Sequence, residues 1–101
     1  MAVVESGLDA LALAEFEDRD DTLYVSTGGG FGPLTEAALL RLAQGRMAVS
    51  AFDNDRGGET LHLRLLGVLP EAKRLAPPSQ VQGQDGVCKD WLDVLAAHKV
   101  M

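Results

Sequence analysis

The chain has a single cysteine, Cys88, which excludes an internal disulfide and suits a reducing cytoplasm. It has no apolar run approaching the roughly 18 residues that a membrane-spanning helix needs, so no membrane partner is expected. Its first residues, Met1-Ala-Val-Val-Glu5, contain neither the basic nor the apolar region of a secretory leader. Basic residues are scarce. Nine Lys and Arg against fifteen Asp and Glu leave a net charge of −6, which excludes broad electrostatic binding of nucleic acid by this domain unaided. A phosphate substrate would need metal ions or a partner segment for its positive charge. The two histidines, His62 and His98, lack a partner at zinc-ligand spacing and read as surface helix residues. No repeat, low-complexity tract or linker divides the chain, and 101 residues with 47% hydrophobic content make one globular domain.

What is present is organised around Met47-Ala-Val-Ser-Ala-Phe-Asp-Asn-Asp-Arg-Gly-Gly-Glu59, an apolar run ending in two carboxylates and two glycines. Such a run reads as a buried strand of a parallel sheet with Asp53 and Asp55 at its C-terminal end, the edge where ligands bind in open α/β sheets. Alternation along extended backbone lets these two carboxylates point the same way, about 7 Å apart at Cα. They repel unless a cation sits between them, and a hard divalent ion with oxygen ligands is the natural candidate. The same D-N-D-x-G-G string is also ordinary turn chemistry.

Along the chain, Ala2 to Glu5 starts a strand, and Ser6 with Asp9 has the spacing of a capping box for a helix through Phe16. Leu23 to Ser26 reads as the second strand. A glycine loop, Thr27 to Gly32, leads to Pro33 at the first position of a helix through Gln44, ended by Gly45. After the third strand, Leu61, Leu65 and Leu69 mark an amphipathic helix from Glu59. Lys73 to Ala76 reads as a short fourth strand stopped by Pro77-Pro78, residues 79–86 as loop, and Asp90 as the cap of a last helix from Trp91. The alternation βαβαβαβα predicts a three-layer, Rossmann-like α/β/α domain with a mainly parallel sheet of about four strands. Right-handed crossovers gather the strand C-termini on one edge, so Glu5 meets Asp53 and Asp55 if strands one and three are neighbours.

Four segments resemble the Toprim domain in order and spacing: Val4-Glu5-Ser-Gly-Leu-Asp9, Val25-Ser-Thr-Gly-Gly29, Phe52-Asp53-Asn-Asp55-Arg-Gly-Gly58 and Lys89-Asp90-Trp-Leu-Asp93. That domain occurs in bacterial primases, type IA and type II topoisomerases, RecR-type and OLD-type proteins and small ribonuclease-maturation enzymes. The late K-D-x-x-D element is most similar to the primase-like branch, including Toprim segments beside plasmid relaxase and mobilisation proteins. The resemblance implies Glu5 as general acid/base and Asp53 and Asp55 as ligands of Mg²⁺ or Mn²⁺. It implies Asp90 or Asp93 as a further ligand, although primases usually show D-P-D there. Asp9 falls at an often acidic position, and the capping box explains it without metal.

Three weaker assignments accompany these. Gly29 and Gly30 could offer backbone N–H groups to a phosphate, or form a plain turn. Arg56 could contact substrate phosphate or balance its acidic neighbours. Trp91 and Cys88 read as packing residues, and Tyr24, inside a strand, is a poor covalent nucleophile.

The expected function is Mg²⁺-dependent phosphodiester chemistry on nucleic acid, DNA ahead of RNA, as primase-like nucleotidyl transfer or strand nicking in replication or plasmid mobilisation. The chain is expected to be a cytoplasmic fragment of a larger nucleic-acid-processing protein and to need its partner domains. The alternatives are a small metal-dependent Toprim nuclease and a non-catalytic acidic module that binds a basic protein partner.

Overall fold

The computed structural model describes residues 1–28, 30–79 and 88–100, with side chains described through 97. The expected loop over 79–86 thus falls almost wholly outside the described residues, as do Gly29 and the His98 side chain. The elements run β1 (Ala2–Val4), α1 (Gly7–Glu17), β2 (Tyr24–Ser26), α2 (Pro33–Leu42), β3 (Val49–Ser50), α3 (Arg56–Val68), β4 (Lys73–Arg74) and α4 (Trp91–Val100). One four-stranded sheet has the order β2-β1-β3-β4, and every pairing is parallel. β1 and β3 are neighbours, as the convergence of Glu5 and Asp53 requires.

Alternation on the strands divides the core into two layers. Ala2, Val4 and Ala51 face Ala12 and Leu13 of α1 and Trp91 and Val94 of α4. Met1, Val3 and Phe52 face Leu39 of α2 and Leu65 of α3. Val3, Val4, Leu13, Phe52, Leu65 and Val94 are fully buried, and each contributes about 1.5–3 kcal/mol relative to exposure. The three-layer α/β/α architecture is therefore the one expected.

Boundaries shift where side chains outweigh composition. The capping box at Ser6 is present, with Ser6 Oγ accepting from Asp9 N at 3.1 Å. α2 starts at Pro33 but stops at Leu42, two residues short of Gln44, and the chain turns to Gly45 at φ +73°. α3 starts at Arg56 rather than Glu59, because Asp55 is its N-cap and accepts from Gly58 N at 2.7 Å. Both glycines lie inside the helix, and Gly58 is there for a steric reason. A Cβ on Gly58 would sit 1.8 Å from the Asp53 carbonyl oxygen, so glycine lets α3 press against the end of β3. β4 comprises only Lys73 and Arg74, yet Leu75 N still donates to Ser50 O at 2.8 Å. His62, expected at the surface, is half-buried, and its Nδ1 has no hydrogen-bond partner among the described residues.

Candidate metal centre

β1 passes to β2 on one side of the sheet and β3 to β4 on the other, so the C-terminal ends of β1 and β3 flank a topological switch point. Glu5 follows β1 there and Asp53 follows β3. The backbone N–H of Asp53 donates to Glu5 Oε1 at 3.3 Å, tying the two ends together. One carboxylate oxygen each from Glu5, Asp53 and Asp55 lie within 4.8 Å of one another, and so do oxygens from Asp9, Asp53 and Asp90. Asp53 belongs to both groups.

The remaining members are held by the elements they cap. Asp55 stands at the start of α3 with its Oδ1 on Gly58 N. Asp90 Oδ1 accepts from Asp93 N at 2.8 Å, capping α4. Asp9, 6% exposed, accepts from Ser6 Oγ at 2.9 Å and from Leu92 N at 3.4 Å, joining α1 to the start of α4. Asp53 differs. No donor among the described residues reaches its carboxylate.

Electrostatics follow from that arrangement. Burial, then repulsion from Glu5, Asp9, Asp90 and Asp55, pushes Asp53 up to about 7. Burial also raises Glu5, opposed by the Asp53 N–H and reinforced by Asp55 and Asp9. Asp90 is raised by burial, against the Asp93 N–H that favours its charge. An all-carboxylate donor set with mutual repulsion fits a hard divalent cation, whose charge would relieve the repulsion and release protons on binding.

Of the remaining sequence candidates, Asp93 is in neither group and turns its Oδ2 to Lys89 N at 3.0 Å. Arg56 is exposed at the first position of α3 and forms no ion pair among the described residues. Gly30 is exposed, with its N–H directed at Thr27 O at 3.5 Å; Gly29 lies outside the described residues.

Three residues that sequence reasoning did not assign to the site shape it. Arg74 donates through Nη1 to Ser50 O (3.2 Å) and Phe52 O (2.8 Å), through Nη2 to Asp53 O (2.8 Å) and through Nε to Glu59 (2.9 Å). It thereby satisfies the Phe52 and Asp53 carbonyls, which the short β4 leaves without ladder partners, shares Ser50 O with Leu75 N, and fixes the backbone under Asp53. Gly58 supplies the close approach described above. Lys89 fastens the start of α4 to β3, its carbonyl accepting from Asn54 N at 2.6 Å, while Trp91 Nε1 donates to Ala51 O at 2.9 Å.

Fold and carboxylates together define an α/β domain with an acidic site at the switch point of a parallel sheet. The model of the Toprim-like family matches residues 2–95, and the chain belongs to that family. No curated protein and no solved structure matches the chain significantly. Toprim domains bind divalent metals and act in nucleic-acid processes, and this chain carries acidic groups that could hold such ions. Among the described residues, no helix is long and apolar enough to cross a membrane.

Proposed function

We propose that this chain is a Mg²⁺- or Mn²⁺-dependent catalytic domain for phosphodiester chemistry on nucleic acid, of the nucleotidyl-transfer or strand-nicking kind. The observation that supports this reading is the sharing of Asp53 between two carboxylate groups on one sheet edge. Glu5, Asp53 and Asp55 would hold one cation, and Asp9, Asp53 and Asp90 a second. Bound divalent ions would neutralise non-bridging phosphate oxygens and align attacking and leaving groups.

The chain's own residues divide the remaining work. Glu5 is held beside the cradle by the Asp53 N–H, which supports it as the group that accepts or returns a proton at the reacting oxygen. Asp90 lies in a carboxylate group with Asp53 and Asp93 lies in neither, which supports Asp90 rather than Asp93 as the ligand from this segment. Arg56 and Gly30, both exposed, are the phosphate contacts expected along the polymer. The net charge of −6 makes nucleic-acid binding by this chain depend on bound cations, to which the partner domains of a larger primase-like or mobilisation protein would add.

The test is incubation with single-stranded DNA and Mn²⁺, with and without nucleoside triphosphates, comparing the natural chain with Glu5→Gln. Extension that needs triphosphates supports nucleotidyl transfer, whereas cutting without them supports the nuclease form. Activity unchanged in Glu5→Gln would remove Glu5 as the acid/base. If a parent protein carrying this domain also left DNA intact and unextended, the catalytic reading would fail.

A further inference from the structure

Three ion pairs occur among the described residues, and one of them reaches the acidic centre: Lys89 Nζ lies 3.5 Å from Asp55 Oδ2. The lysine's backbone is fixed on both sides. Its N–H is bound to Asp93 Oδ2 and its carbonyl to Asn54 N. Its side chain is not fixed, being 64% exposed. A separation of 3.5 Å exceeds the usual hydrogen-bond range for N–H···O, so the contact is a loose Coulombic one that exchanges readily. Asp55 keeps its other oxygen on Gly58 N, so Oδ2 is the oxygen it has to offer a cation, and the lysine stands at that oxygen.

The other cations near this edge are differently placed. Arg74 is engaged with three carbonyls and Glu59, and its side chain is 17% exposed. Arg56 reaches no acidic partner among the described residues. A lysine ammonium is a compact point charge on a flexible stem, suited both to share a carboxylate and to meet a phosphate oxygen a few ångströms away.

Resting on the reading above, we propose that Lys89 is an exchangeable counter-ion that yields Asp55 to a divalent cation and then binds the substrate phosphate. Its anchored backbone keeps the ammonium at the rim of the centre while its tip changes partner. Lys89 therefore competes with metal when substrate is absent and supports substrate binding once metal is present.

Opposite signs for the two effects make the test specific. Mg²⁺ affinity of the natural chain, Lys89→Met and Lys89→Arg is measured by calorimetry. Binding of a short oligothymidylate to each Mg²⁺-loaded protein is then followed across a salt series. Lys89→Met is expected to bind Mg²⁺ about three- to tenfold more tightly. It should bind the oligonucleotide about fivefold more weakly, with a log–log salt slope smaller by about 0.7, the loss of one phosphate contact on a single strand. Lys89→Arg should restore the slope. Unchanged Mg²⁺ affinity in Lys89→Met, an unchanged salt slope, or failure of the loaded natural chain to bind the oligonucleotide would each overturn the exchange. A natural chain with no saturable Mg²⁺ site would overturn the metal reading itself, a different result from a metal-binding chain indifferent to Lys89.

Discussion

The two carboxylate groups that meet at Asp53 are built differently. Around Glu5, Asp53 and Asp55, the members are half-buried, and a mobile lysine stands at the rim. Around Asp9, Asp53 and Asp90, the deepest member is buried, and its flanks are stitched into the starts of α1 and α4 by backbone N–H donors. The first group has the openness suited to a reacting phosphate and the second the rigidity suited to a fixed ion. Four of the five carboxylates also accept hydrogen bonds that hold the fold together. Asp53 accepts none from the described residues, so a cation is what its position suits.

The largest effect should come from removing the shared member. Asp53→Asn is expected to lower Mn²⁺ affinity at both groups together, by more than the roughly hundredfold that outer-shell changes cost in metal sites. The same variant should melt at a higher temperature than the natural chain without metal at pH 8, because it removes a repelled carboxylate; thermal scans with and without Mn²⁺ check both. Gly58→Ala comes next. With its Cβ 1.8 Å from the Asp53 carbonyl, it should cost about 3 kcal/mol in chemical denaturation and displace Asp53 as well.

Asp90→Asn and Asp55→Asn separate the two groups. Asparagine caps a helix about as well as aspartate, so each should fold normally and lose one ion of two, seen as a halved stoichiometry in calorimetry. Equal loss of both ions in Asp90→Asn would erase the distinction between the groups.

The pH dependence is a gentler probe. Asp53 is raised in the folded chain from an ordinary 3.8 to about 7, so the folded state holds its proton more tightly than the unfolded state. Its contribution to stability is therefore fully present below about pH 4 and lost as pH rises toward 7. Glu5 and Asp90, also raised, contribute with the same sign. Metal-free melting temperature should thus fall across that window through these groups, while Mn²⁺ affinity rises. Asp53→Asn should flatten both trends. Arg74→Met, the smallest change, is expected to cost about 1–3 kcal/mol through the Phe52 and Asp53 carbonyls it leaves unsatisfied, read by chemical denaturation.

Much of this was legible in the sequence, for physical reasons. Apolar strands bounded by turn residues, helices between them, the cap at Ser6 and the helix-opening Pro33 are local signals, and handedness then places the strand ends together. The meeting of Glu5 with Asp53 and Asp55 was expected if strands one and three were neighbours, a condition that the sheet order meets. Asp9 was read as a cap or as an acidic motif position, and the structure unites the two. It bonds Ser6 beside it and Leu92 across 83 positions of sequence while lying against Asp53 and Asp90. The start of α3 was missed because two successive glycines resemble a turn, whereas Gly58 provides clearance for the Asp53 carbonyl. Arg74 and Lys89 were missed for a different reason. Their partners are backbone carbonyls and a carboxylate far along the chain, which no local pattern announces.

Asp53 as the common ligand of two cation positions is decided by calorimetric Mn²⁺ titration of the natural chain beside Asp53→Asn. Two ions per chain in the natural protein and no saturable binding in the variant is the predicted result. A variant that still binds one ion at near-natural affinity would show instead that the two groups do not both depend on Asp53.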